Sequence, residues 1–346
     1  MKVGFIGAGW ISLKMSRTME GLKDVSRCRA LTLAMGLDPE KAAKGGPIEK
    51  YAVAARDYSR AQAFACEEGF QKAYGSYEEL VNDPEVDLVY VATPHSHHHD
   101  HALLALQAGK AVLVEKAFAA NYREASEVID CAQRKQLLCV EAVWTRFMPL
   151  SHKIGELLRE GTIGTPILLD ASLCYRMTHK ERVMRPALCG GALLDIGVYC
   201  INFARMYFGT DHRRMTSSCV VGETGVDVNE SITLAWDDGK MANLQSSALC
   251  GCHREGFIAG TEGYIRVDNI NCPEKVTLYQ NFKPVAEYYP PKEQVTGYEY
   301  EVLACQYALG NGLTETPFMP HQETLAIMAL TDALRKEWGV TYPADR

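Results

Sequence analysis

The chain has 346 residues, of which 47% are hydrophobic and 23% charged, with a formal net charge of −7. That length exceeds what a single hydrophobic core usually serves and points to two domains. The acidic balance leaves no basic surplus to neutralise phosphate backbones, so a general nucleic-acid binder is excluded, and nothing in the composition suggests disorder, collagen or a coiled coil.

Met1 runs straight into an apolar stretch, Lys2-Val3-Gly4-Phe5-Ile6, which leaves no signal peptide to expect. No apolar run is read as long enough to span a membrane, and a cytoplasmic location is expected. Val3 to Ile6 predicts a strand, Gly7-Ala8-Gly9 a turn, and Ile11 to Leu22 has helical spacing. The stretch 24–50 holds Gly36, Asp38-Pro39 and Gly45-Gly46-Pro47, which are strong breakers, and is read as an insertion. Tyr51 to Ala55 predicts the second strand, and a helix follows over roughly 58–68. Ser76 is placed as the N-cap of a short helix. Strands over 87–92, 111–114 and 137–142 alternate with helices over 100–108 and 122–135. That alternation predicts a doubly wound parallel sheet.

After Met148-Pro149 the texture changes. A helix over 152–160 leads into segments 167–173, 231–236, 241–248 and 264–268, which alternate apolar and polar residues between short turns. The fold class expected is therefore α/β: a Rossmann domain over 1–146, then an α+β domain over 147–346 with a large, mostly antiparallel open sheet. The twelve cysteines are scattered, and the expected state is free thiols. Cys250-Gly251-Cys252-His253 is the tightest group, but no second cluster with zinc-like spacing accompanies it, so no metal is expected.

Gly7-Ala8-Gly9-Trp10-Ile11-Ser12 nearly matches G-x-G-x-x-G between a strand and a helix. Gly7 permits the tight turn, Gly9 lets the backbone approach a pyrophosphate, and the helix N–H groups hold the phosphates. The second strand ends Ala54-Ala55-Arg56-Asp57, where an NAD site usually carries an acid on the ribose. Arg56 suits a 2′-phosphate instead, so NADP is favoured over NAD; the alternative is a solvated arginine beside an Asp57 helix cap. The run from Thr93 to His101 has five histidines, which admits a metal reading, but its place after a strand favours the edge of a cofactor site. Glu115-Lys116 also follows a strand, where a lysine suits stabilisation of a developing alkoxide or is simply exposed. In Gly190-Gly191-Ala192-Leu193-Leu194-Asp195-Ile196-Gly197-Val198-Tyr199, Asp195 and Tyr199 stand four apart. On a helix they share a face, a carboxylate and a phenol suited to handling protons.

These segments resemble the Gfo/Idh/MocA oxidoreductase family over nearly the whole chain. The likeness is greatest to the dimeric dihydrodiol dehydrogenase and NADP-dependent D-xylose dehydrogenase branch, through 141–147, 194–200 and 298–302. The resemblance implies hydride transfer between nicotinamide and a secondary alcohol or hemiacetal of an aldose, cyclic polyol or trans-dihydrodiol. It makes Lys116 the catalytic lysine, Tyr199 the acid/base and Asp195 the residue that orients substrate. It also places Thr93, Pro94, His98, Glu115, Trp144 and Arg146 at the cofactor, Phe147 in the sugar pocket, and implies a homodimer. Ala117 stands where the family has proline, and Asn271 where the nearer relatives carry a large aromatic, which implies a more polar pocket. The alternatives are a glycoside ring-hydroxyl oxidase that makes a keto-sugar, and a non-catalytic NAD(P)-sensing regulator.

Overall fold

A computed structural model describes residues 1–346, which form two compact units. The first holds 1–143 and 293–328, the second 144–292 and 329–346.

In the first unit the chain runs β1 (Lys2–Ile6), α1 (Trp10–Glu20), α2 (Val25–Ala34), α3 (Pro39–Ala43), β2 (Glu49–Ala54) and α4 (Tyr58–Glu68). It continues through β3 (Lys72–Tyr74), α5 (Tyr77–Val81), β4 (Leu88–Val91), α6 (His98–Gln107), β5 (Ala111–Glu115), α7 (Tyr122–Lys135) and β6 (Cys139–Ala142). The six strands form one parallel sheet in the order β3-β2-β1-β4-β5-β6. Its inner strands are buried throughout, as apolar runs in a doubly covered sheet must be. Strand order reverses between β1 and β4, which opens a ligand crevice at their carboxyl ends.

The second unit begins with α8 (Pro149–Arg159), β7 (Pro166–Cys174), α9 (Glu181–Met184) and α10 (Val198–Phe208). There follow β8 (Arg214–Val221), β9 (Asp227–Ala235), β10 (Met241–Ser247), β11 (Gly256–Gly260), β12 (Tyr264–Asp268), β13 (Lys275–Gln280) and β14 (Lys283–Tyr288). They make an eight-stranded sheet in the order β14-β13-β12-β11-β7-β10-β9-β8, antiparallel except where β10 joins β7. Alternation along β9 and β10 buries one face and leaves the other open.

Two helices complete the chain, α11 (Glu299–Gly310) and α12 (His321–Trp338). Their position departs from the expected second domain over 147–346, because 293–328 groups with the first unit. The cause lies in the insertion. Asp24 and Asp38, read as part of a broken stretch, are helix caps: each carboxylate accepts a backbone N–H at the start of α2 or α3, and Pro39 takes the first turn. The short pair packs on α11, where a Cβ on Gly310 would lie 2.5 Å from the Gly45 nitrogen, and Gln306 donates to the Gly46 carbonyl at 2.6 Å.

A second correction concerns apolar length. The segment Pro186–Phe208 is long and apolar enough to cross a membrane, but its most apolar stretch is almost wholly buried within the fold, so it is a core segment here.

Candidate active site

In the first unit, Gly7 stands at φ 105, and its N–H donates to the Ala54 carbonyl at 3.0 Å. A Cβ there would come within 3.1 Å of the Ala92 carbonyl, so the turn after β1 fits against the end of β4 only as glycine. Gly9 is the N-cap of α1 with no side-chain cap, and the space where a Cβ would stand is open. Ser12 is buried and its hydroxyl donates to the Gly7 carbonyl at 2.7 Å, which holds the turn. Trp10 is exposed and Ile11 half-buried at the mouth of this turn. Arg56 is exposed just past β2, and Asp57 caps α4 through the Ser59 N–H. Arg60, which the sequence reading missed, donates to the Ala8 carbonyl at 2.9 Å.

The loops after β4 and β5 meet through His98. It is fully buried, with one ring nitrogen 2.7 Å from the Thr93 carbonyl and the other 2.8 Å from that of Ala117. Burial pushes its pKa down to about 4, so the ring is neutral and donates a single N–H to one of the two carbonyls. His98 thus ties the Thr93-Pro94 loop to the residue after Lys116 and offers no surface of its own. Expected among the cofactor contacts, its ring is enclosed here between the two loops. The Lys116–Ala117 peptide bond is cis. Lys116 is half-buried, and beside it Glu115 accepts a hydrogen bond from the Tyr90 phenol, which the sequence did not reveal. Tyr90 is fully buried on β4, and burial together with the Glu115 charge raises its pKa.

The second unit holds the remaining candidates. Asp195 lies in a π-helical turn, Leu193–Gly197, and Tyr199 in the first turn of α10. The turn is therefore wider than the α-helix that the four-residue spacing suggested. Asp195 is 3% and Tyr199 7% exposed. The Asp195 carboxylate is held by the Arg182 guanidinium through contacts of 2.5 and 3.3 Å. No sequence signal marks Arg182, which reaches Asp195 from α9 across an irregular loop. Trp144, Arg146 and Phe147 share one short helical turn. Trp144 is half-buried, and Arg146 donates to Asn202 at 2.5 Å while Asn202 donates to the Val198 carbonyl at 2.7 Å. That chain ties the turn to the start of α10. Phe147, expected in the sugar pocket, is fully buried in this fold. The Asn271 backbone carbonyl accepts the Thr145 hydroxyl at 2.6 Å, and its side-chain oxygen lies 3.5 Å from the Tyr175 hydroxyl, to which Arg254 donates.

Residues 1–142 match the model of the oxidoreductase family with an NAD-binding Rossmann fold, and 151–266 match that of the Gfo/Idh/MocA C-terminal domain. The chain belongs to the Gfo/Idh/MocA oxidoreductase family. It is an NAD(P)-dependent oxidoreductase, and its first unit is the nucleotide-binding one. A trans-1,2-dihydrobenzene-1,2-diol dehydrogenase of Danio rerio is 37% identical over 308 residues, 86% of this chain and 92% of the relative. The Homo sapiens protein of that name is 36% identical, over 85% of this chain and 90% of its own. Among solved structures, a 3-ketoreductase from Actinomadura kijaniata in complex with NADP and TDP-benzene superposes with a TM-score of 0.80 at 23% identity, covering 97% of each chain. An aldose-aldose oxidoreductase from Caulobacter crescentus gives a TM-score of 0.80 at 18% identity, over 97% of this chain and 96% of that one. The family's nucleotide fits the residues present: the uncapped start of α1 and the open approach at Gly9 form a phosphate cradle at the point where strand order reverses.

Proposed function

We propose that this oxidoreductase prefers NADP and acts on a secondary alcohol or hemiacetal carbon of an aldose, a cyclic polyol or a trans-dihydrodiol. The observation that carries the reading is the Gly190–Tyr199 segment, where a buried carboxylate locked by Arg182 in a π-helical turn is followed four residues later by a buried phenol at the start of α10. A protein that only sensed its nucleotide has no use for such a pair. The names of the Danio rerio and Homo sapiens relatives support a diol or sugar-like substrate. The polar side chains of Tyr175, Arg254 and Asn271, which lie together, support a hydroxyl-rich one.

Gly7, Gly9 and the first turn of α1 hold the pyrophosphate, and Arg56 meets the 2′-phosphate. When bound, the nicotinamide gives or takes the hydride. Lys116 donates a hydrogen bond to the reacting oxygen and stabilises its developing charge. Tyr199 takes the hydroxyl proton in oxidation and returns it in reduction, while Asp195, fixed by Arg182, orients the substrate. The Actinomadura kijaniata enzyme was also crystallised as variants altered at a lysine and at a tyrosine, which accords with such a pair.

The test is purified protein with NADP⁺ or NAD⁺ and a panel of aldoses, cyclic polyols, trans-dihydrodiols and glycosides, followed by reduced-nicotinamide absorbance. Turnover of a free aldose or diol, faster with NADP⁺, is the expected result. Turnover confined to glycosides favours the keto-sugar reaction instead. Silence across the panel with NADP binding intact contradicts the substrate assignment.

We infer further that two copies associate through the open face of the second sheet. Met241, Leu168, Ala259, Tyr264 and Tyr279 are register partners in one row across five strands, and Tyr264 stacks on Tyr279 at 4.5 Å. Met241 is 45% and Leu168 38% exposed, so the row is apolar surface in need of cover. Sedimentation should give twice the chain mass, and Leu168→Glu with Met241→Glu should give the monomer. A monomeric wild-type protein contradicts the inference.

A further inference from the structure

The turn that carries Asp195 and leads to Tyr199 has no side-chain cap of its own. Its support comes from below, from β9. Asp227 is fully buried, and its Oδ2 accepts the Leu193 N–H at 2.6 Å, at the first residue of the π-helical turn. Its Oδ1 makes no hydrogen bond of regular geometry, although the Ala192 N–H and its own backbone N–H face the carboxylate. Gly191, at φ 124, passes so close to Oδ1 that a Cβ would collide with it. Three residues along β9, Glu230 is also buried; one of its oxygens accepts the Ser246 hydroxyl and the other has no partner. A Cβ on Gly197, the last residue of the turn, would come within 2.9 Å of both the Ser246 hydroxyl and the Glu230 oxygen that accepts from it. Two buried carboxyl groups thus meet the two ends of the turn, each under a glycine that leaves room for it. The Gly190 carbonyl, just upstream, accepts the Tyr342 hydroxyl at 2.6 Å.

Buried carboxyl groups with an oxygen that makes no regular hydrogen bond are costly to keep and are not needed to fill space. We propose that Asp227 is a positioning residue for the reaction, its carboxylate anchoring the start of the π-helical turn so that Asp195 and Tyr199 are held in their reactive arrangement, with Glu230 as the matching support at the far end. This rests on the roles given to Asp195 and Tyr199 above. A carboxylate at the N-terminal end of a helical segment accepts a charge-assisted bond and is favoured by the local dipole. The groups that face Asp227 are Glu230 on its own strand, Cys219 on β8, Arg335 and Tyr342 near the C-terminus, and the backbone N–H groups of Ala192 and Leu193. Burial pushes Asp227 up to about 6 against the opposing pull of the Leu193 bond and the Arg335 charge. Burial and the Asp227 charge keep Glu230 protonated well above the usual carboxylate range. Below that region Asp227 takes up a proton and the charge-assisted part of the anchor is lost, so turnover falls in acid through a group that never touches substrate.

The experiment compares wild type with Asp227→Asn and Asp227→Ala by hydrogen exchange of the peptide 190–208, by NADP affinity, and by kcat against pH. Exchange in 190–208 should quicken in both variants, more in alanine, with NADP affinity unchanged. A misplaced acid/base costs roughly tenfold to a hundredfold in kcat. Asparagine, which retains an acceptor for Leu193, should lose less than alanine, and its acid limb should disappear. Exchange and pH profile equal to wild type in Asp227→Asn would overturn the proposal, and that variant carries the test if alanine does not fold. Exchange needs no substrate, so the anchor is read even if the wild-type chain turns over nothing on the panel. That silence bears on the substrate assignment alone.

Discussion

Arg56 and Arg60 stand four residues apart around the cap of α4, yet they do different work. Arg60 is spent on the Ala8 carbonyl and so shapes the glycine turn. Arg56 lies exposed at the carboxyl end of β2, where the second ribose of a dinucleotide comes. A charge-assisted hydrogen bond contributes about 1.5–3 kcal/mol. Arg56→Ala should therefore raise KM for NADP roughly tenfold and leave that for NAD nearly unchanged, whereas Arg60→Ala should raise both. Equal effects of Arg56→Ala on the two nucleotides would show that it does not read the 2′-phosphate. At this scale the sequence spoke through residues whose backbone is special or whose type is chemical. Gly7, Gly9, Lys116, Asp195 and Tyr199 stood out for that reason. Arg182 and Tyr90 did not, because the loop and the strand pairing that bring them to Asp195 and Glu115 leave no local mark. His98 also stood out, but a histidine in a polar run looks available, and only burial shows that both ring nitrogens face carbonyls.

Among the elements, the helices with plain caps were legible. Ser76 caps α5 through the Glu79 N–H, and α7 occupies 122–135 as its spacing predicts. The stretch 24–50 was not, because Asp and Pro that begin short helices look the same in sequence as residues that end them. What fixes α3 is distant, the approach of α11 at Gly45 and Gly310. Gly310→Ala should force the two backbones apart, at a cost of roughly 1–3 kcal/mol typical of overpacking. The melting temperature should drop by several degrees. Gly155→Ala in α8, where a Cβ meets nothing within 4 Å, should be neutral or stabilising. Equal melting temperatures for the two variants would contradict the packing account. The π-helical turn was likewise hidden, since Asp227, which accepts the N–H of its first residue, lies on a strand more than thirty residues away.

For the whole molecule, alternating strands and helices announced the parallel sheet, and alternating apolar and polar residues the open one. The return of 293–328 to the first unit could not be read, because chain order carries no information on which core a late helix joins. Charge and length argued against whole classes of function, and the glycine turn, Lys116, Asp195 and Tyr199 are the residues to which the proposed chemistry is assigned. The central claim is that Tyr199 moves the substrate proton, and the direct measurement is kcat for Tyr199→Phe on the best substrate of the panel, beside its NADP affinity. General acid–base catalysis contributes roughly 10²–10⁴-fold, so kcat should fall by at least about a hundredfold with NADP binding unchanged. A phenylalanine variant that folds, binds NADP and turns over at the wild-type rate would contradict the account.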